Sequence, residues 1–424
     1  MRPLRPSVLA PLAAVLAFAA CGEATAPASA RLVALPRPLT PIERTAIDAN
    51  TRFGLALFRR LAEGRGEAEN LVISPLSVST SLAMATVGAR DSTFADMRAT
   101  LGFADGVDRD ALLAAYRALL PMLASLDPRV EYTLANAIWT HDAFPVDAGF
   151  VTAMQQGFGA EARTRDLFDP ATAAEVNGWV RDRTRGRIPT MVDGFGPRDR
   201  LFLANAIAFK GDWRMRFDPA ATVTDSFRVV PGTTLPVRMM VRSGGLRMGA
   251  VEGTRVVELP YGNDSWVMTI LVPPPGGLRA LVASLDESRW RRFTDTATVL
   301  FDAGAGGVAL PRFRSEMPQP IRLDSALRGM GMARAFTPCA ADFTRMSPLG
   351  HDLYVGTVLH RTFVEVDETG TTAAASTGVA MLVPVNAPPF VRVDRPFVFA
   401  IRERLSGTIL FLGAIASPTS APAP

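Results

Sequence analysis

Through the first half of the chain, apolar positions recur at helical spacing. Ile42, Ala46, Phe53, Leu57 and Leu61 share one helical face, and Thr40-Pro41 supplies an N-cap followed by a first-turn proline. The pattern predicts a long opening helix and further helices around residues 75–88, 108–123, 145–158 and 170–185. After about residue 200 the period changes. Short apolar runs bounded by Gly and Pro fill residues 201–209, 256–260, 265–272, 307–313, 363–366 and 397–402, and read as strands. The last of these pairs with residues 408–415 across Leu405-Ser-Gly407 as a C-terminal hairpin. Helices first and strands later predict an α+β domain with more than one sheet. No repeat or Pro/Gly linker splits the 424-residue chain, so one large domain is expected.

The N-terminus has its own pattern. Met1-Arg-Pro-Leu-Arg5 is a short basic segment, and residues 8–20 form an apolar stretch too short to span a bilayer. It ends in Ala17-Phe18-Ala-Ala-Cys21, which resembles the lipobox of bacterial lipoproteins, with Phe18 where Leu is usual. That resemblance implies a signal peptide over 1–20, a diacylated Cys21, and a lipoprotein anchored at the cell envelope or surface. The competing cut, after Ala28-Ser-Ala30, implies a secreted, extracellular protein; either way the chain is exported. Residues 22–40, rich in Ala, Pro, Ser and Thr, read as a flexible tether, and 419–424 as a loose tail. With Cys21 spent, Cys339 is the one cysteine left and no internal disulfide can form. Cys339 is expected to be a small buried hydrophobe.

Charge and motifs exclude several classes. The chain carries 45 basic and 41 acidic residues, a formal net charge of +4, with Lys210 its only lysine. The arginines are scattered among carboxylates, so no nucleic-acid partner is expected. There is no nucleophile elbow, P-loop, dinucleotide fingerprint or C-x-x-C, and His141, His351 and His360 show no metal-ligand spacing. No catalytic residue, metal or cofactor is expected, and residues 108–123 are not an arginine-rich helix that would bind a heparin-type cofactor.

The motifs that are present form an ordered series. Asn70 to Ser77 (NLVISPLS) is followed by Tyr132 to Trp139 (YTLANAIW) and by Ala174–Trp179 with Thr184–Ile188. Leu203 to Trp213 (LANAIAFKGDW), Glu258–Tyr261, Leu310–Phe313, Gly331-Met332 with Ala335-Phe336, Ala341–Phe343 and Asp394–Phe397 complete the series. In this order the motifs resemble the serpins, the serine protease inhibitor family, from about residue 42 to 418. The resemblance implies three β-sheets and eight or nine helices in one domain, here residues 41–418, with an exposed reactive-centre loop at about 368–390. It implies a monomeric, metastable inhibitor, not an enzyme, that forms a covalent acyl complex with serine proteases. After cleavage the loop adds a strand to the central sheet. The alternative is a non-inhibitory serpin-fold binding module tethered at the cell surface.

The loop carries the chemistry. Glu368 begins it, Gly370 is the hinge, and Thr371, Thr372, Ala373, Ala374, Ala375 and Ser376 are small, uncharged and free of proline. Such a segment can slide between two strands and complete their ladders at little steric cost, where a charge or a proline would block it. Thr369 stands where the family often has a charge. The resemblance implies a cut after Pro384 when the family's spacing is counted from Glu368, and after Val385 when it is counted back from the proline of Asp394–Phe397. Val385-Asn386 is the expected reactive bond, with Pro384 a fallback, because Pro384 lacks the N–H that a residue before the cut gives a docked protease. The same proline, just after the cut, would weaken Val383, and Met381 and Leu382 are fallbacks. A β-branched Val385 suits an elastase-like pocket; Met381 and Leu382 suit subtilisin- or chymotrypsin-like ones. By resemblance, Ser74, Ser77, Asn205 and His360 form a buried polar cluster under the central sheet, Trp213 packs at its top, and Arg312 pairs with Glu368. These six residues are expected to control sheet opening.

Overall fold

In a computed structural model of the chain, the described residues are 30–297, 299–301, 306–316, 319–370 and 389–419. Their helices are α1 (Pro41–Ala62), α2 (Pro75–Gly88), α3 (Asp91–Thr100), α4 (Arg109–Ala124), α5 (Ala148–Phe158), α6 (Pro170–Arg183), α7 (Leu278–Ala283), α8 (Glu287–Thr296) and α9 (Asp324–Leu327). The strands of the first two-thirds are β1 (Leu71–Ile73), β2 (Val130–His141), β3 (Glu161–Arg165), β4 (Leu201–Gly211), β5 (Val223–Val230), β6 (Thr233–Ser243), β7 (Leu246–Val251), β8 (Thr254–Pro260) and β9 (Trp266–Val272). The remainder are β10 (Val299–Phe301), β11 (Gly307–Pro311), β12 (Phe313–Glu316), β13 (Ile321–Arg322), β14 (Leu359–His360), β15 (Phe363–Val366), β16 (Phe390–Arg392), β17 (Phe397–Glu403) and β18 (Ile409–Ile415).

Capping chemistry sets the start of α1. Thr40 Oγ1 accepts the Glu43 N–H, and the Glu43 carboxylate accepts the Thr40 N–H at 2.7 Å, a reciprocal capping box. Arg37 grips both Glu43 oxygens at 2.7 and 2.6 Å. The buried face of α1, including Ala46, Phe53 and Leu57, then packs into the main core. α2 begins at an N-cap serine, Ser74, with Pro75 in its first turn, and is buried almost all round.

Three bodies of sheet surround this helical layer. One is seven-stranded, in the order β1-β18-β17-β9-β8-β7-β10, and its β17–β18 pair is the expected C-terminal hairpin. Its strands β9, β17 and β18 are buried throughout, so the charged Arg402 and Glu258 inside it meet each other and Thr269. The second, β16-β11-β6-β5, has four strands. The third is divided into β3-β2-β4 and an antiparallel ribbon of β12–β15 and β13–β14. Along β4, Ala204 and Ala206 face the cluster around Trp139 and Trp179 of α6, while Ile207 and Phe209 face the main core.

Cys339 departs from expectation: it is exposed. It occupies a tight turn closed by Ala340 and Ala341 N–H bonds to Thr337 O, with φ +61°, which sends its side chain outward. Short helices such as α3, and α8 with only Trp290 and Phe293 buried, carry too few apolar positions for the spacing to reveal them.

The Arg37 grip holds the Glu43 carboxyl down at about 2, against an ordinary 4.5. A depressed native value means its contribution is complete above the unfolded value and is lost as pH falls through 2. Glu43→Gln should therefore cost about 1.5–3 kcal/mol at neutral pH. Below pH 2 the difference from wild type should vanish, as read by urea denaturation across the acid range; a pH-independent difference would refute the ionic origin.

Candidate functional site: a split central sheet

β4 pairs along its length with β2, yet among the described residues its other side meets a backbone partner only past its end. There, Asp212 bridges to Gly370 and the Trp213 N–H donates to Thr369 O at 2.8 Å. Between the other half of β4 and β14 lies a cavity of about 700 Å³, lined by Leu203, Asn205, His360 and Leu359, with Ser77 and Leu82 of α2 beneath. Among the described residues the sheet is thus fastened at one end and parted along the rest.

Aromatic packing and a short polar turn make the fastening. The Trp213 indole stacks on Tyr261, with centroids 4.3 Å apart and planes 14° apart, and donates from Nε1 to Asp367 O at 2.9 Å. Asp367 Oδ1 accepts the N–H and hydroxyl of Thr369 and the Gly370 N–H, curling the strand end. Gly370 is required here by close approach, because a Cβ would sit 2.1 Å from Gly211 O. The Glu368 carboxylate, 4% exposed, accepts from Arg312 Nε at 2.7 Å and from the Thr222 hydroxyl, while Glu368 O accepts the Phe217 N–H at 2.8 Å. An ion pair this buried is held by its extra hydrogen bonds.

Beneath the parted stretch lies a chain of buried polar groups. His360 Nε2 accepts the Ser74 N–H at 2.9 Å, and the Ser74 hydroxyl donates to Leu410 O at 2.6 Å. The Ser77 hydroxyl donates to Asn205, whose amide donates to Asn136 at 2.7 Å, and Asn136 donates to Phe158 O at 2.8 Å. The links tie α2 to β4, β2, β14 and β18. Burial pulls the His360 imidazole down to about 4, so the ring is neutral, as its acceptor role requires. Across the parted edges, Arg361 donates to Thr190 O at 2.9 Å, and Asn177 of α6 holds the Met191 and Val192 N–H groups.

The structure therefore gathers Ser74, Ser77, Asn205 and His360 in one network and places Trp213, Arg312, Glu368 and Gly370 together at the fastened end. Thr371, Thr372, Ala373, Ala374, Ala375, Ser376, the reactive-bond candidates Met381, Leu382, Val383, Pro384, Val385 and Asn386, and the lipidation candidate Cys21 lie outside the described residues. Sequence reasoning passed over Asn136, Thr222, Tyr261 and Asp367. Asn136 and Tyr261 sit inside motifs that the sequence displays, whereas Thr222 has only its final position to mark it. Separately, His141 Nδ1 comes within 3.5 and 3.7 Å of Asp142 and Asp166, but that nitrogen already accepts the Leu167 N–H.

Known proteins resemble this chain over most of its length. The family model described as Serpin (serine protease inhibitor) matches residues 48–418. The human leukocyte elastase inhibitor is 32% identical over 388 residues, 87% of this chain and 98% of the relative. An uncharacterized serpin-like protein of Thermococcus kodakarensis is 32% identical over 384 residues, 89% of this chain and 86% of the relative. Among solved structures, the thermophilic serpin tengpin in its native state superposes with a TM-score of 0.78 at 28% identity, covering 90% of this chain and 95% of tengpin.

Because His360 holds its native value at about 4 against 6.5, only the unfolded chain takes up a proton between those values. Stability from this ring is complete above pH 6.5, declines towards pH 4 and is gone below it. His360→Gln should be less stable than wild type at neutral pH and fall less steeply from pH 6.5 to 4 in denaturation measured at each pH. Equal slopes would remove the buried neutral ring from the account.

Proposed function

The chain belongs to the serpin family, and from that premise we propose that it is an inhibitory serpin, a suicide substrate of serine proteases. The observation that carries this reading is the split sheet: β4 and the ribbon are fastened at Gly370 and parted beside a cavity of about 700 Å³. The segment that follows Gly370 in sequence, Thr371 to Ser376, is small and uncharged. It can enter between the two strand edges, with alternate residues buried and both ladders completed. Each new backbone bond contributes about 0.5–1.5 kcal/mol.

In this mechanism the protease serine oxygen bonds to the Val385 carbonyl carbon. The Val385–Asn386 bond breaks, and the Asn386 nitrogen leaves with the proton that the protease histidine took from the serine. The freed segment then inserts from the hinge, carrying the acyl-linked protease with it. Entry requires the Trp213–Asp367 and Trp213–Thr369 hydrogen bonds to open, and Arg312 keeps the Glu368 carboxylate neutralised beside the opening. Val385 fits a small specificity pocket, and similarity to the leukocyte elastase inhibitors supports an elastase-like target. Cys21 would hold the inhibitor at a membrane through lipid, with residues 22–40 as tether.

Incubation with a panel of serine proteases should give an SDS-resistant adduct with elastase, and the released peptide should begin at Asn386. A fragment beginning at Leu382 or Val383 would move the reactive bond. Absence of any adduct across the panel would leave a non-inhibitory binding module. Cleavage should raise the melting temperature by tens of degrees, since it completes the sheet and relieves strain. Thr371→Arg should turn the inhibitor into a substrate, because a guanidinium buried early in insertion costs several kcal/mol. An unchanged stoichiometry of inhibition in that variant would place the start of insertion elsewhere.

A further inference from the structure

The turn between β8 and β9, Gly262-Asn263-Asp264-Ser265, gathers arginines from distant parts of the chain. Arg214 Nη1 donates to Gly262 O at 3.1 Å. Arg404 donates from Nε to Asp264 O at 2.8 Å and from Nη2 to Leu32 O at 2.5 Å. Arg247 grips the Asp264 carboxylate with both terminal nitrogens, at 3.0 and 2.5 Å. Arg129 belongs to the neighbouring turn, in which Asp127 accepts the Arg129 and Asn263 N–H groups at 2.9 and 2.6 Å. Arg31 precedes Leu32, whose N–H donates to Asn263 O at 2.7 Å. Among the described residues, these five arginines share the corner with three carboxylates, Asp127, Asp264 and Glu403, all of them buried. Nearby, Asp212 is taken by Arg216 at 2.6 Å and Glu258 by Arg402. Arg31 and Arg129 are exposed, so the corner turns positive charge outward over buried negative charge. Burial first, and then the Arg31 charge, pull the Arg214 guanidinium below its ordinary value.

The chain enters the domain at this same corner. Leu32 is clamped between Asn263 and Arg404, and Leu35 and Leu39 pack against the main core. Cys21 and Leu32 are eleven positions apart, which at full extension is about 40 Å of chain. A lipid on Cys21, as proposed above, therefore holds the corner within that reach of a bilayer. Arginines close to a membrane are drawn to anionic headgroups, and the planar guanidinium fork matches phosphate. We propose that this arginine corner is a docking surface for anionic phospholipid headgroups, holding the domain with this face against the membrane. A tether that ends on the corner favours the bilayer over a soluble polyanion. The Gly262 N–H donates to Asp212 O at 3.0 Å and Asp212 bridges to Gly370, so the docked face adjoins the fastened end of the split sheet. The membrane's position rests on the Cys21 reading, whereas headgroup binding itself needs no lipid on the protein.

The test is co-sedimentation of the full-length protein carrying Cys21→Ala, which has no lipid, with vesicles of phosphatidylcholine alone or mixed with phosphatidylglycerol. The protein should bind the anionic vesicles and not the neutral ones. Added sodium chloride should release it, because exposed charges are screened. Arg31→Ala combined with Arg129→Ala should lower partitioning about tenfold or more. Arg181→Ala combined with Arg334→Ala, exposed arginines on other elements, should leave it unchanged. Melting temperatures equal to the parent's separate lost binding from lost fold. Mass spectrometry of the wild-type N-terminus reads the lipid independently, so the two readings fail separately. No binding to anionic vesicles, or an equal loss in both double variants, would overturn the docking surface. Tighter retention on heparin than on anionic vesicles at equal ionic strength would assign the corner to a soluble polyanion instead.

Discussion

Among the described residues, the structure is arranged around two strand edges that lie side by side and are joined at one end only. β4 and the β14–β15 ribbon meet through the backbone at Asp212–Gly370 and Trp213–Thr369, and part beside a cavity between the middle of β4 and β14. Strand edges in a protein interior are ordinarily paired, because unpaired backbone groups are costly and receptive. Here the surrounding elements keep the edges apart. α2 lies beneath, and the segment following α6, fixed by Asn177 and reached by Arg361, spans the parted edges.

The polar groups beneath the sheet explain how the parted state can be specific. Ser74 caps α2, accepting the Ser77 N–H with its hydroxyl oxygen, and Ser77 stands in the first turn. From there each contacts a different strand, and His360, neutral and accepting, completes the set. A network of this kind is stable only when every member is satisfied, so a shift of one strand is registered by several hydrogen bonds together.

At the fastened end, aromatic stacking and a buried ion pair replace ladder bonds. Tyr261, Trp213 and Phe217 form a continuous aromatic run that ends on Arg242, whose Nη2 donates to Gly245 O. The Arg312–Glu368 pair beside it is satisfied from both the arginine and Thr222. The backbone of Phe217 joins the aromatic run to this pair, donating its N–H to Glu368 O.

Much of this was legible in the chain itself. The long amphipathic helices, the buried hairpin β17–β18 and the uncharged segment after Gly370 follow from periodicity and side-chain size, which act locally. The ordered motifs marked Ser74, Ser77, Asn205, His360, Trp213, Arg312 and Glu368 as a set. Only the tertiary structure could decide who touches whom, since Ser74 and His360 are 286 positions apart and Thr222 and Glu368 are 146. The same holds for Cys339, whose exposure depends on a turn conformation that composition does not encode. Arg242 makes the point most sharply. In sequence it is one of many scattered arginines, and only the folded chain shows that it is buried against the Phe217 ring.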